Sequence, residues 1–268
     1  MLETRIPPSV LTQLYFNSNP WVVPIGLLLV LGLAVEVPVL YGKSLVSKLT
    51  LSDDGWNVIQ GAILGLVAFM LGISFSQSEG RFDARRTLVV QEANAIGTTW
   101  LRSDQLPVLQ GRRFRAVLVD YTATRLHAYE HPMSVEAREV AQARSDADQA
   151  QMWAIATSAL RAHPQNLGLS LLMTALNDTI DVSSEQLAAL THHVPTTIVS
   201  LTLWLVILGA TLIGLGFARA GSSPRALAVI YVLASTLVVV MVLDLDRPQT
   251  GFVRTNLDPI KIQLSQMR

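Results

Sequence analysis

A dense group of charges follows the second apolar stretch of the sequence, in the hexapeptide from Arg81 to Arg86. Three of its residues, Arg81, Arg85 and Arg86, carry guanidinium groups that stay protonated at physiological pH. A ring of such charges at the mouth of a pore would concentrate anions there. The same residues could instead form a basic flank that sets membrane orientation and touches anionic headgroups. The spacing of the residues allows both interpretations.

A second charged group, made of Asp244, Asp246 and Arg247, follows the last apolar stretch. Placing a carboxylate at the end of a membrane span costs free energy unless water solvates it or a cation pairs with it. We therefore predict that Asp244 or Asp246 pairs with a basic residue of the first group or with Arg247. Within the first group, Asp83 is a further candidate for a charge pair. Two aspartates two residues apart provide too few oxygen ligands for a metal ion, so no metal site is predicted.

One carboxylate, Glu36, lies inside the first apolar stretch and is followed two residues later by Pro38. Ionisable residues within a membrane span are functional candidates by default. Glu36 also lies within about two helical turns of the end of the stretch, where it could simply reach water. A functional role and a plain interfacial position are therefore both open.

The second apolar stretch carries a row of small residues on one helical face, with Phe69 beside it. Small residues at four-residue spacing allow helices to pack closely. The same face could border a narrow pore in which Phe69 or Ile73 forms a hydrophobic constriction. The row consists of Gly61, Gly65, Ala68, Gly72 and Ser76.

No group of residues has catalytic spacing. The sequence contains no zinc-protease, phosphate-loop, serine-hydrolase or kinase motif, and His127, His131 and His163 are scattered over its polar part. The absence of cysteine excludes disulfides, thiolate metal sites and cysteine nucleophiles. A formal net charge of zero gives no sign of a nucleic-acid partner. We expect a protein that is not an enzyme and has no cofactor.

These side chains must be positioned by four apolar stretches, at about residues 21–41, 57–77, 197–218 and 225–243. A bilayer core ~30 Å thick needs roughly 20 apolar residues in a helix that rises ~1.5 Å per residue. Backbone amides in hydrocarbon must be paired within their own segment, so each stretch is predicted to be a helix. The sequence thus predicts an all-α membrane protein with four transmembrane helices in two hairpins.

A charge-rich insert separates the two predicted hairpins. Helical periodicity continues from the second span to Arg102, and Pro107, Pro132 and Pro164 then separate three further helices. The predicted organisation is an N-terminal segment with the first hairpin (1–78), a helical insert (79–195), and the second hairpin with a C-terminal tail (196–268).

The distribution of basic residues predicts which side of the membrane the insert occupies. Four spans place both termini and the insert on one side, and that side carries more basic residues near the membrane, which predicts that it is cytoplasmic. Seven basic residues lie there (Arg5, Arg81, Arg85, Arg86, Arg247, Arg254, Lys261), against four on the other side (Lys43, Lys48, Arg219, Arg225).

Several short motifs resemble the bestrophin-like domain family of bacterial membrane proteins, a family without an assigned activity. The resemblance spans about residues 57–260. Its most specific parts are Glu92-Ala93-Asn94-Ala95-Ile96-Gly97-Thr98 and Asp244-Leu245-Asp246-Arg247-Pro248. They are accompanied by Leu71-Gly72-Ile73-Ser74-Phe75-Ser76, the charged group at 81–86, Asn177 with Ile180-Asp181, and Gly251.

The resemblance implies an architecture like that of bestrophins, which are pentameric anion channels with four membrane helices per subunit and a cytoplasmic helical body. It implies a homo-oligomer, a pentamer if bestrophin-like, in the lipid bilayer of a bacterial inner membrane, passing small anions. The path would be bordered by Phe69, Gly72, Ile73 and Ser76, with Arg81, Arg85 and Arg86 facing its cytoplasmic vestibule.

The sequence departs from bestrophins in two ways. It has no acidic run like their calcium-binding clasp, and Ser76 stands where another bulky residue of the second helix would be expected. Calcium gating is therefore not carried over. The alternative hypothesis is a non-conducting membrane scaffold or sensor whose cytoplasmic helices bind a partner, for which the face around Phe114, Tyr121 and Leu126 is a candidate surface.

Overall fold

The computed structural model describes residues 21–46, 52–131, 135–191, 195–221, 224–247 and 251–268. Every regular element assigned in these ranges is a helix. Arg5, Lys48, Pro132 and Pro248, which contribute to the sequence-based predictions, lie outside the described residues. The eight longer helices are α1 (Val22–Tyr41), α2 (Asp53–Arg102), α3 (Val108–Glu130), α4 (Val135–Ala162), α5 (Leu167–Thr191), α6 (Thr196–Ala220), α7 (Arg225–Asp246) and α8 (Asp258–Gln266).

Four of these helices, α1, α2, α6 and α7, are long and apolar enough to cross a membrane. This confirms the predicted all-α class with four apolar helices. The second of them, α2, runs for 50 residues without a proline, so the second span and the first helix of the insert form one helix, as predicted.

Prolines and one glycine determine where several helices begin and end. Leu106 is extended ahead of Pro107, because the proline ring disfavours helical geometry in the residue before it. Both α6 and α7 begin immediately after a proline, Pro195 and Pro224. Gly221 ends α6 with a φ of 66°, a left-handed conformation that residues with a side chain rarely adopt.

The chain divides into two compact units, each built from two separate parts of the sequence. The first unit comprises Met1–Gly80 and His193–Val253, and the second comprises Arg81–His192 and Arg254–Arg268. Residues 254–268, for which the sequence predicts a tail of the second hairpin, belong to the same unit as the insert.

In the first unit, α1 packs against α6 and α7 around an apolar core that includes Leu31, Val35 and Val206. Gly214 on α6 is the point of closest approach, since a Cβ built there would lie 2.2 Å from the carbonyl oxygen of Val35. A glycine is therefore required at this position for α1 and α6 to pack as they do.

In the second unit, α3, α4 and α5 surround a core with fully buried Phe114, Leu118 and Tyr121. The hypothesis that the face around Phe114, Tyr121 and Leu126 binds a partner is therefore wrong, since Phe114 and Tyr121 are fully buried and Leu126 is half-buried in the same unit. An apolar stripe at helical spacing is covered here by helices of the same chain, because burying it against them removes it from water.

Helix α8 completes the second unit through both apolar and charged contacts. Ile260 and Leu264 are buried, and the ammonium of Lys261 lies 2.7 Å from the carboxylate of Glu130 at the end of α3. The hydrogen bond between these exposed groups lowers the pKa of Glu130 and raises that of Lys261, so both stay charged at neutral pH.

Candidate functional site

The row of small residues on α2 meets no other described residue at its glycine positions. A Cβ built at Gly61, Gly65 or Gly72 would have nothing within 4 Å in the part of the chain that the structure describes. Phe69, beside the row, is 63% exposed. Close packing against another described helix of the same chain therefore does not explain the row.

The opposite face of α2 holds the helix in the first unit. Val67, Leu71 and Ser74 are buried there. The hydroxyl of Ser74 lies 3.0 Å from that of Thr202 on α6, and Thr202 in turn donates to the carbonyl of Ile198. Since Thr202 has a single proton to give, Ser74 donates to it. This bond fixes the rotation of α2, and with it the direction of the small-residue row.

Ile73 and Ser76, the other two candidates on α2, differ in exposure. Ser76 is exposed and continues the row, whereas Ile73 is half-buried at the edge of the packed face. Phe69 is therefore the bulky exposed side chain beside the row, and Ile73 exposes less of its side chain on this face of α2.

The basic group at 81–86 does not present three equivalent guanidinium groups. Arg86 is exposed, Arg81 is half-buried, and Arg85 is buried with only 3% of its surface accessible. Asp83 is exposed. The positive charge that this segment offers to solvent thus comes mainly from Arg86, with a carboxylate three residues before it.

Asp244 accepts two hydrogen bonds from backbone N–H groups. Its two carboxylate oxygens accept from the N–H groups of Phe252 at 2.8 Å and Val253 at 2.9 Å. A Cβ at Gly251 would lie 2.9 Å from one of these oxygens, which explains the glycine in the motif. Asp246 and Arg247 are buried beside it, and their predicted charge pairing stays a prediction.

Glu36 forms an ion pair with Arg225, the first residue of α7, at 3.3 Å. Both side chains are substantially exposed, at 43% for Glu36 and 68% for Arg225. An exposed pair at the end of a helix is typical of an interfacial position. This geometry favours the interfacial interpretation of Glu36 over a carboxylate buried in the membrane.

Sequence reasoning missed a buried polar cluster in the second unit, made of Glu92, Arg125 and Tyr129. Arg125 Nε donates to one carboxylate oxygen of Glu92 and the Tyr129 hydroxyl donates to the other, both at 2.6 Å. Glu92 is fully buried and Arg125 is 6% exposed. The presence of Glu92 in the specific motif at 92–98 was the only sequence signal, since its partners lie more than thirty residues away.

The protonation states of Arg125 and Tyr129 match the hydrogen bonds that these residues donate to Glu92. Burial and the neighbouring carboxylate of Glu92 raise the pKa of the Tyr129 phenol well above its usual range, so the phenol stays protonated and donates. Burial would lower the pKa of Arg125, but the charge of Glu92 outweighs it and the pKa is raised. Arg125 therefore stays charged beside the carboxylate of Glu92.

Among the described residues, no three histidines, aspartates or glutamates lie close enough together to hold a metal ion.

Comparison with known proteins identifies both a family and a fold. A family model described as Bestrophin-like domain matches residues 32–260. The chain is similar to the crystal structure of a bacterial bestrophin homologue from Klebsiella pneumoniae, with 19% identity, a TM-score of 0.62, and coverage of 93% of this chain and 96% of that one.

Two point-mutant forms of the Klebsiella pneumoniae protein align equally well. One is 18% identical with a TM-score of 0.66, covering 91% of this chain and 95% of that one. The other is 18% identical with a TM-score of 0.66, covering 92% and 93%. At this level of identity the likeness shows a common fold. No curated protein matches the chain.

Proposed function

Since this chain belongs to the Bestrophin-like domain family, we propose that it is an oligomeric membrane channel that passes small anions. Copies of the chain assemble in the bilayer of a bacterial inner membrane with their α2 helices around a common axis. The conducting path runs along the small-residue row of α2.

The observation that carries this proposal is the row itself. Three of its glycines meet none of the other described residues, while the opposite face of the same helix is packed and hydrogen-bonded. Because glycines carry no side chain, they leave room for a path on the side of α2 that faces the axis. The large ring of Phe69 narrows this path. Hydrophobic constrictions of this kind control conduction by dewetting.

The anion preference is proposed from the guanidinium groups that follow the span on α2. Arg86 is exposed and Arg81 partly so, and positive charge at the mouth of a path raises the local concentration of anions. Asp83 opposes this effect, so the preference rests on the balance of these three groups.

Chloride flux into liposomes that contain the purified protein tests the proposal. Phe69→Ala should raise flux, because the constriction widens. Leu29→Ala on α1 is a matched control, since Leu29 is also 63% exposed and lies on a different helix; it should leave flux unchanged. If neither wild type nor Phe69→Ala carries any ion above empty liposomes, the protein is not a channel.

The charge of Arg86 is tested in the same liposomes. Arg86→Gln should lower chloride flux more at low ionic strength than at high, because the Debye length falls from about 30 Å at 0.01 M to about 10 Å at 0.1 M salt. Arg112→Gln, an exposed arginine on α3, is the control. A reversal potential showing that cations are the permeant ions would contradict the proposed anion preference. It would leave the proposal that the protein is a channel standing.

A second candidate function, a membrane scaffold that binds a partner, is favoured by one feature of the second unit. Large apolar side chains are exposed around the Ser103–Gln105 turn: Leu101, Val108, Leu109 and Leu167 are 71%, 74%, 82% and 79% exposed. Exposed apolar groups gathered in one place are typical of interaction surfaces. This function becomes the leading one if the liposomes show no flux.

A further inference from the structure

His127 and His131 lie one turn apart at the C-terminal end of α3. The backbone N–H of His131 donates to the carbonyl of His127 at 3.3 Å, so the last turn of the helix is closed. The two imidazole rings stack with their centroids 4.5 Å apart and their planes 35° from parallel. Both residues are exposed, so solvent metal ions can reach the rings.

A hydrogen bond determines which nitrogen of His131 is available. Its Nδ1 lies 3.3 Å from the carbonyl oxygen of His127, which can only accept, so Nδ1 carries the proton. The lone pair is then on Nε2. Histidines that bind metals usually donate their other ring N–H to such a carbonyl or carboxylate, which orients the ring.

We propose that His127 and His131 form a two-imidazole binding site for a borderline transition-metal ion such as Cu²⁺, Ni²⁺ or Zn²⁺, with water completing the coordination. Neutral imidazole suits these ions and not the hard cations Ca²⁺ and Mg²⁺, which take oxygen ligands. The bound ion links His127, in the last turn of α3, to His131, the residue directly after the helix.

The charged groups next to the pair are compatible with a cation. Glu130 lies between the two histidines in sequence, and its carboxylate is 2.7 Å from the ammonium of Lys261 on α8. The carboxylate offsets the positive charge of the lysine. A metal ion would therefore bind beside the contact that holds α8 to α3.

The site is tested by measuring metal binding to the purified full chain. The protein is purified with an affinity tag that contains no histidine. The chain has five histidines and no cysteine, so competing soft ligands are few. His192 and His193, which lie outside the described residues, are replaced by asparagine in the starting protein to remove an adjacent imidazole pair. Titration with Cu²⁺, Ni²⁺ and Zn²⁺ is followed by calorimetry.

We expect one Cu²⁺ per chain, bound more tightly than Ni²⁺ or Zn²⁺. His127→Ala and His131→Ala should each weaken binding at least about tenfold, since losing even an indirect partner of a metal ligand costs that much. The electron paramagnetic resonance spectrum of the Cu²⁺ complex should show two imidazole nitrogens, a signature that a purely structural role would not produce.

His163→Ala is the matched control, because His163 is exposed and lies elsewhere in the second unit. It should leave affinity unchanged, and all variants should keep the melting temperature of the metal-free protein. Equal Cu²⁺ affinity in the His127→Ala/His131→Ala double variant and its parent would overturn the proposal, as would an equal loss of affinity in His163→Ala.

Discussion

At the scale of single residues, the most constrained side chain of the second unit is Glu92. Both of its carboxylate oxygens are engaged, one by Arg125 and one by Tyr129, and the carboxylate has no access to water. Arg125 also lies over the Tyr129 ring, 5.0 Å from its centroid. Removing one member of such a buried pair leaves the other charge without compensation in a medium of low dielectric constant.

Glu92→Gln should therefore destabilise the protein by about 3–5 kcal/mol. Thermal unfolding of the purified protein in detergent, followed by circular dichroism, measures the effect. The matched control is Asp120→Asn, which breaks the ion pair between Asp120 and Arg144. These side chains are 51% exposed for Asp120 and 57% exposed for Arg144. Exposed pairs contribute about 0–1 kcal/mol, so the control should hardly change the midpoint. Equal shifts in the two variants would contradict the role assigned to Glu92.

At the scale of elements, the carboxylate of Asp244 joins the last turn of α7 to residues 252 and 253. The helix ends at Asp246, and the N–H groups of Phe252 and Val253 donate to Asp244. Gly251 is needed for this approach because a Cβ there would collide with the carboxylate. Phe252 is further placed by an edge-to-face contact with the ring of Trp21, at 5.5 Å.

Asp244→Ala should cost about 2–4 kcal/mol, because two N–H groups lose a charged acceptor. The variant should also be cut faster by trypsin after Arg254, which follows the segment that Asp244 holds. Asp54→Ala is the control, since Asp54 is exposed in the first turn of α2. Unchanged stability and unchanged cleavage in Asp244→Ala would show that the backbone hydrogen bonds do not hold this segment.

At the scale of the whole molecule, the orientation in the membrane can be measured directly because the chain has no cysteine. The basic residues near the membrane favour the side of the insert, which predicts a cytoplasmic insert. Ala147 on α4 and Asp54 at the start of α2 are both exposed, and each can be replaced by a single cysteine.

An impermeant maleimide should label Asp54→Cys in intact cells and should label Ala147→Cys only after the membrane is permeabilised. The cysteine-free parent protein gives the background. Labelling of Ala147→Cys in intact cells, with Asp54→Cys protected, would reverse the predicted orientation.

The features that follow from local sequence were all predictable. Whether about 20 consecutive residues can span a bilayer depends on their own hydropathy, and whether a helix continues depends on residues such as Pro107 and Pro195. The four apolar helices, the uninterrupted α2 and the family resemblance were therefore read from the chain. The four-residue spacing of His127 and His131 is also visible in the sequence, but only the structure shows that the two rings lie side by side.

Features that depend on rotation and on distant partners required the tertiary structure. A helical wheel does not say which side meets another helix, so the burial of Arg85, the openness of the Gly61–Gly72 row and the burial of Phe114 came only with packing. Glu92 meets partners that lie far along the chain. Asp244 meets the amides of residues that lie beyond the end of its helix, and α8 lies in the unit of the insert although it follows the second hairpin in the sequence. In each case the sequence determined the chemistry of the side chain, and three-dimensional contact decided what it meets.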